Sequence, residues 1–479
     1  MEIPLLGELI AAGLVLLYLG AIACAVEAIL KGRTPQGAIA WALSLLTFPM
    51  LTMPFYLIFS RNRFDGYLEQ RDEMETHSRR LLSATSDRIE DHVVPRIAGQ
   101  PVYTSLFNLA RMPATRGNKL RLLIDGTATF DDIRAGLESA ETYILFQFYI
   151  IRDDDLSRQL CRILADKARA GVTVALLYDE IGSRSFHRSR LRRQLLLAGV
   201  EAAPFNTTQG RRNRFQLNFR NHRKVVVVDG SVAWIGGHNV GNEYLGLDRK
   251  VGHWRDTHVR FEGPAVLGAE LAFATDWLWA TRQQLKIPWN FSRAARGDST
   301  VLVFPSDPAS EYEEAGLMYH QSIVGAEHRV WIASPYFVPD RGIVAALQLA
   351  ALRGVDVRVI IPDEPDGPMV AMANWSFTRE LLASGIKFYR YQGGFMHQKV
   401  LLMDDQLAGI GTANFDNRSF RLNFEITVLA HDQVFAREVE AMLERDMGRS
   451  RQVGLDEFAT RPAWFIVAMA IARLFAPVL

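Results

Sequence analysis

The sequence predicts an α/β protein of two pseudo-symmetric halves with mixed, largely parallel sheets, preceded by an N-terminal transmembrane helical hairpin. Three observations predict it. Two long apolar runs crowd the first 60 residues, strands alternate with helices from Lys119 onward, and one polar pattern occurs twice at a fixed offset. The 479 residues suffice for about three domain-sized units, and a 49% hydrophobic content excludes a wholly disordered chain. Cys24 and Cys161 are the only cysteines, which excludes a disulfide scaffold and a Cys-ligated metal site. The 54 basic and 53 acidic residues leave a net charge of +1, so no global basic field points to a nucleic-acid partner.

The first apolar run extends from Ile3 to Leu30, interrupted by Glu8 and Glu27. After the polar break Lys31-Gly-Arg-Thr-Pro35, Gly37 to Phe59 is apolar and uncharged. About 20 apolar residues cross a bilayer core, so residues 1–60 are expected to form two transmembrane helices. No basic segment precedes the first run and a second follows at once, which argues against a cleaved signal peptide. Pro49 and Pro54 are expected to kink the second helix. The loop carries Lys31 and Arg33, whereas Arg61, Arg63, Arg71, Arg79 and Arg80 follow the hairpin. That count favours a cytoplasmic C-terminal body. At the other end, Ala463 to Leu479 is apolar except for Arg473. A terminal core helix and a membrane-surface helix are both open for it.

Residues 61–118 are polar and read as a tether with an early subdomain. Then Leu120–Ile124 reads as a strand, Phe130–Ala140 as a helix and Tyr143–Ile151 as a buried strand. Asp153, Asp154 and Asp155 offer caps for a helix ending near Gly171, and Val172–Tyr178 is the next strand. The order recurs as strand Val301–Phe304, helix Tyr312–Val324, strand Val330–Ser334, helix Ile343–Arg353 and strand Val355–Ile361. Helices between strands imply βαβ units. A repeat of about 180 residues therefore divides the body into halves 119–299 and 300–460, with 461–479 as a terminal segment.

The first half contains His222-Arg-Lys224, four valines, Asp229, and then Gly236-Gly-His-Asn239. The second contains His397-Gln-Lys399, four apolar residues, Asp404, and then Gly411-Thr-Ala-Asn414. His, Lys, Asp, Gly and Asn all recur at an offset of 175 without one insertion. His and Lys two apart on an extended chain share a face. Asp229-Gly230 favours a two-residue hairpin turn, which returns Asn239 beside His222 and Lys224. Each hairpin thus presents an imidazole, an ammonium and an amide at one edge, and two-fold symmetry lets the sets meet. Lysine and asparagine donors suit the oxygens of an anion, and two histidines suit a nucleophile and a general acid in line at phosphorus. A phosphodiester fits this set, with no metal and no cofactor required.

These motifs resemble the phospholipase D superfamily, whose signature is this His-x-Lys-x4-Asp pattern found twice. The resemblance is closer to bacterial cardiolipin synthases. It rests on Asn218-Phe-Arg-Asn-His-Arg-Lys224, Gly241-Asn-Glu-Tyr-Leu245, Trp254-Arg-Asp-Thr-His-Val-Arg260, Ser334-Pro-Tyr-Phe-Val-Pro-Asp340 and the run from Gly411 to Glu425. Gln147 stands where that family often carries Glu. The resemblance implies two phospholipase D-like halves that join two phosphatidylglycerol molecules into cardiolipin and release glycerol. A phosphatidyl-histidine lies between the two steps. His222 is expected as nucleophile and His397 as acid/base, with Lys224, Lys399, Asn239 and Asn414 on the phosphoryl oxygens. The implied partners are anionic phospholipid and the bacterial inner membrane. With water as acceptor the same residues would hydrolyse phosphatidyl headgroups, and both readings stand at this point.

A neutral imidazole nucleophile needs its other nitrogen held by a carboxylate. Glu425 follows Asn414 by 11 residues and Asp256 follows Asn239 by 17, each on an apparent strand, so both are assigned as orienters. Asp229 and Asp404 belong to the motif of the catalytic residues, yet their turn positions read as structural. Arg184, Arg188, Arg190, Arg192 and Arg193, then Arg211, Arg212 and Arg214, form a basic run. It is either a solvated face or an attraction to an anionic bilayer. His238, His253, His258, His320 and His328 have no counterpart in the repeat and are read as structural.

Overall fold

The computed structural model describes residues 3–32, 34–59, 67, 76, 90–94, 101–205, 218–249, 251–289 and 295–478. The chain divides into two compact units, Met1–Gln70 with Thr207–Phe219, and Arg71–Asn206 with Arg220–Leu479.

In the first unit the leading apolar run is one helix, Ile3–Lys31. Its Gly7–Lys31 stretch has 25 residues and is only 11% buried. At about 1.5 Å per residue it exceeds the roughly 30 Å hydrocarbon core, so it is long and apolar enough to cross a membrane. The second run departs from the expectation of one span. It forms two short helices, Pro35–Thr47 and Pro49–Phe59. Pro49 lacks an N–H and pushes the residue before it out of the helical region, so Phe48 takes φ −132° and ψ 62°. Among the described residues only the first helix is long enough to span. The short helices fold back on it through Ala25, Ala28, Leu45 and Tyr56, packed with Trp41 and Met53. Arg33, Arg61, Arg63, Arg71, Arg79, Arg80, Arg211, Arg212 and Arg214 lie outside the described residues.

The second unit is organised by one continuous sheet. Its first-half strands run, from the edge inward, Glu201–Phe205, Thr173–Asp179, Tyr143–Phe148, Val225–Val228, Val232–Gly236, Thr257–Glu262 and Thr115–Ile124. There Thr115–Ile124 pairs antiparallel with Ser299–Ser306, and the second half follows in mirrored order: Asn423–His431, Leu407–Gly411, Val400–Met403, Arg329–Ala333, Asp356–Pro362, Lys387–Tyr391 and Ser450–Gln452. The two halves expected from the repeat are therefore fused at their central strands. The α/β class and the mixed sheet hold, but the pairing is not largely parallel. Along this order only the three strands of each half that are linked through helices run parallel. The duplicated segments are hairpins, whose tight loops force antiparallel neighbours. Helices Val266–Thr281 and Gln433–Gly448 contribute Phe273 and Val439 to a core shared by both halves, with Val227 and Leu402.

The peripheral expectations resolve simply. Arg184, Arg190 and Arg193 are exposed on the short helices Arg184–His187 and Arg190–Leu197, and Arg188 is exposed between them. The terminal helix Ala463–Leu474 buries Phe465, Met469 and Ala472 in the second-half core and leaves Trp464, Val467, Ile471 and Leu474 exposed.

Asp229 and Asp404 occupy the hairpin loops, at the far end of the strand from each histidine. The register pairs Val228 with Val232 and Met403 with Leu407, so each loop has three residues rather than the expected two. Both aspartates take φ 51°, the left-handed region that short polar side chains tolerate. The Asp229 carboxylate accepts from the N–H groups of Glu141, Thr142 and Tyr143, each at 2.8 Å. Asp404 accepts from those of Glu327, His328 and Arg329 at 3.1, 2.8 and 3.0 Å. A catalytic place for these two residues is thus corrected to a structural one: each pins its hairpin to the start of the neighbouring strand. Asp229→Asn or Asp404→Asn should lower stability by about 1–3 kcal/mol, since it weakens charge-assisted bonds to three N–H groups. Denaturant unfolding of the purified protein measures this, and an unchanged midpoint would show that the clamp contributes nothing.

Candidate active site

Each histidine leaves its own half and is held by the other. The segment Arg220–Asn221 pairs in parallel with the start of strand Asn423–His431, setting Arg220 opposite Asn423 and Asn221 opposite Phe424. The segment Phe395–Met396 pairs likewise with Trp254–Arg255. These ladders end on backbone bonds from His222 N to Phe424 O, 2.9 Å, and from His397 N to Arg255 O, 2.8 Å. The next residue on each accepting strand is the carboxylate. His222 Nδ1 lies 2.9 and 3.1 Å from the two Glu425 oxygens, and His397 Nδ1 lies 2.7 Å from Asp256 Oδ2. With Nδ1 engaged, Nε2 is the nitrogen left for chemistry.

The carboxylates are themselves fixed. Thr412 Oγ1 donates to Glu425 at 2.6 Å and Asn423 Nδ2 at 3.0 Å. The Thr257 N–H donates to Asp256 at 2.8 Å. Burial alone would raise both carboxyls. Instead His222 and Lys224 hold Glu425 below the usual range, and Lys399, His238 and His397 hold Asp256 below it. Burial, with help from the lysines, pulls His222 down to about 4 and His397 down to about 3, so both imidazoles are neutral in the empty site. Burial also lowers Lys399 to about 8, and lowers Lys224 well below an ordinary lysine, with each other's charge contributing for Lys224.

His222, His397, Asn239 and Asn414 line one cavity of about 750 Å³, within the usual range for a ligand site. Lys224 and Lys399 are buried and do not line it. Lys224 Nζ donates to His222 O at 2.7 Å, and Lys399 Nζ donates to His397 O. Asn239 is set by the Ile150 N–H at 3.0 Å, with its amide donating to the Tyr244 hydroxyl at 3.2 Å. The rings of Trp254 and Phe395 pack on His397, with centroids 5.1 and 5.9 Å away, and Tyr149 packs on His222 at 5.1 Å.

A supporting layer went unread in the sequence. Arg223, between His222 and Lys224, donates to Glu425 O at 3.0 Å and to Asp276 at 2.8 Å. Arg255 donates to Asp256 O at 2.7 Å and pairs with Asp446 at 2.7 Å. Each arginine therefore clamps the carbonyl of an orienting carboxylate residue and is anchored on a helix. Gln147 belongs to this layer, donating to Asn221 at 3.0 Å and Asp276 at 2.7 Å. The offset of 170 between Asp276 and Asp446 was the available signal. His238 and His258 form a buried pair, Nδ1 to Nδ1 3.0 Å, off the cavity.

Replacing Glu425 by Gln or Asp256 by Asn should cut turnover on the order of 10²-fold or more while leaving Tm near the wild-type value. Activity within about threefold of wild type would remove the orienting role. kcat/KM should also fall as pH rises through about 8, because Lys399 loses its proton there and with it an attraction for an anion. A kcat/KM profile that stays flat to about pH 10 would show that the ammonium is not needed.

The profile of the family described as Cardiolipin synthase, PLD-like domain, matches residues 133–254 and 319–447, and the Phospholipase D-nuclease N-terminal profile matches residues 19–61. The chain is 45% identical over 471 residues to Cardiolipin synthase A of Pseudomonas fluorescens, covering 96% of each chain. It is 44% identical to that of Pseudomonas entomophila, covering 97% of each. In fold it is similar to the phosphatidylserine synthase of Haemophilus influenzae, with TM-score 0.59, 15% identity, and coverage of 79% of this chain and 100% of that one. With the histidines and asparagines of both repeats lining one cavity, their lysines buried against the histidine carbonyls, and the two segments matched by the cardiolipin synthase profile containing those repeats, the chain belongs to the cardiolipin synthase family of phospholipase D-like proteins.

Proposed function

We propose that this chain transfers a phosphatidyl group from one phosphatidylglycerol to another, giving cardiolipin and glycerol. The observation that carries the reading is the pairing of two neutral histidines at one cavity, each backed by a carboxylate of the opposite half. His222 Nε2 attacks phosphorus and a P–N bond forms. The P–O bond to glycerol breaks, and His397 gives its proton to the departing oxygen. A second phosphatidylglycerol then enters. His397 takes the proton of its headgroup hydroxyl, that oxygen attacks phosphorus, and the P–N bond breaks. His222 takes the nucleophile's part by resemblance to the family, because the two repeats are alike in sequence. Asn239 and Asn414 donate to the phosphoryl oxygens, and Lys224 and Lys399 supply charge from behind the histidines. An arriving phosphodiester anion favours the protonated forms of the lysines and of His397, so substrate binding itself arms the acid.

The apolar helix Gly7–Lys31 supports placement at the bacterial inner membrane, where both lipids reside. The body then lies on the cytoplasmic side, with the short helices as a partial return. In phosphatidylglycerol vesicles the purified protein should release cardiolipin and glycerol in equal amounts without phosphatidic acid. Phosphatidic acid without cardiolipin would make water the acceptor and replace this reading with a hydrolase. The His397→Ala variant should accumulate a phosphatidyl adduct, and peptide mass mapping should place it on His222. An adduct on any other residue would reverse the assignment.

A further inference from the structure

The terminal helix Ala463–Leu474 is apolar on two opposite sides. One side, through Phe465, Met469 and Ala472, is packed into the core of the second half. The other carries Trp464, Val467, Ile471 and Leu474, spaced by three, four and three residues and so aligned along one face. These four side chains are 66, 57, 50 and 78% exposed, and Phe475 prolongs the row. Every exposed residue of the helix is apolar. Its one charged side chain, Arg473, is turned aside, bonded to Glu380 and lying 4.5 Å from the centre of the Phe377 ring. Single exposed apolar residues are ordinary on a protein surface, but an unbroken row over three turns marks a contact surface.

The row ends at the wall of the active-site cavity. Asn417 Nδ2 donates to Ala476 O, just past the helix, at 3.0 Å and to Val338 O at 2.9 Å. Val338 lines the cavity, as do both sequence neighbours of Asn417. Helix Pro368–Leu382 makes the connection a second time. Its Trp375 meets Phe465 of the terminal helix edge-on at 6.1 Å, while Val370 in its first turn lines the cavity and Met369 beside it is exposed. In the first half, Val251 lines the cavity and is exposed, and Leu247 is exposed nearby in sequence.

What covers this surface follows from the cavity. His222, Asn239, His397, Asn414 and Asp416 make its wall polar, which suits headgroups. Acyl chains drawn in against such a wall would leave polar groups without partners. A phospholipid whose phosphate reaches the histidines therefore keeps its chains in an apolar medium outside, and the bilayer is that medium. Trp464 fits the boundary, with an apolar ring and an N–H for the headgroup layer. Arg461, exposed just before the helix, adds a cation that an anionic headgroup layer attracts. We propose that the terminal helix lies in the surface of an anionic phospholipid bilayer, with Trp464, Val467, Ile471 and Leu474 sunk among the acyl chains, so that the cavity opens at the level of the headgroups. This rests on a phospholipid substrate and holds for a lipid or a water acceptor alike.

The full chain in phosphatidylglycerol vesicles tests this, with Cys24→Ser and a fluorophore attached at Ile471→Cys; the remaining Cys161 is buried. Lipid carrying a nitroxide on its acyl chain should quench the label about twofold or more, and aqueous iodide should leave it nearly unchanged. Quenching by iodide alone would overturn the docking surface. So would a label shielded from both quenchers, because a second copy or another part of this chain would then cover the row. Val467→Glu combined with Ile471→Glu should lower the summed yield of cardiolipin and phosphatidic acid from phosphatidylglycerol vesicles about tenfold or more. With the same variant in phosphatidylcholine vesicles, turnover of dihexanoyl-phosphatidylglycerol dispersed below its micelle concentration should stay within about twofold of wild type, since this substrate arrives from water. Equal loss on both substrates would assign the face to the fold, and undiminished turnover of the vesicle lipid would remove its role. Phosphatidic acid in place of cardiolipin would bring down the transferase reading and leave the docking surface standing.

Discussion

The structure depends on the exchange of backbone hydrogen bonds between halves at the two histidines. His222 N–H bonds to Phe424 O and His397 N–H bonds to Arg255 O. A backbone bond fixes register, so the residue that follows each acceptor, Glu425 or Asp256, meets Nδ1 without further adjustment. Neither half holds a complete catalytic unit. This explains why the sheets are fused through Thr115–Ile124 and Ser299–Ser306 rather than joined by a flexible linker. It also explains why Arg223 and Arg255 are spent on the carbonyl oxygens of the carboxylate residues. A small slip between the halves would separate both histidines from their partners at once.

The same arrangement settles the electrostatics. Two lysines, two histidines and two carboxylates are all buried, and ions isolated in that way would cost several kcal/mol each. The set is tolerable because it nearly neutralises itself: two ammonium groups, two carboxylates and neutral imidazoles. Burial above all depresses the histidines and lysines, and for His222, His397 and Lys224 neighbouring lysine charge adds to it. A phosphodiester monoanion arriving beside them favours their protonated forms. Binding and proton uptake are then linked, and the general acid forms when there is something to protonate.

Much of this was legible in the chain, for a physical reason. The repeat at offset 175 survives because the hairpin is a rigid unit in which His, Lys, Asp, Gly and Asn each have a fixed place, and the helix–strand alternation of each half follows plain periodicity. Asp256 and Glu425 were findable as carboxylates on the next strand. Their partners were not, because the crossing between halves is a tertiary event. Their equivalence is also masked by unequal spacing: 17 residues separate Asn239 from Asp256, but 11 separate Asn414 from Glu425. Sheet polarity was misread because helix–strand alternation describes only the outer strands of each half. The broken second apolar run was visible in Pro49, but apolarity alone does not say whether a proline kinks a helix or ends it.

The repeat is least faithful where the two histidines must differ. At the position after the hairpin's first Gly, one half carries Gly237 and the other Thr412. A Cβ at Gly237 would lie 1.9 Å from Asp256 Oδ1, so any side chain there would displace the carboxylate. At Thr412 the side chain is instead the donor that fixes Glu425. Asp256 is one methylene shorter than Glu425, and the backbone closes up to it and supplies the Thr257 N–H as donor. The half with the shorter acid needs an absent side chain, and the half with the longer acid needs a hydroxyl. His397 also packs on the rings of Trp254 and Phe395, while His222 packs on Tyr149. A duplicated fold thus arrives at one nucleophile and one acid by holding the same imidazole in two different surroundings.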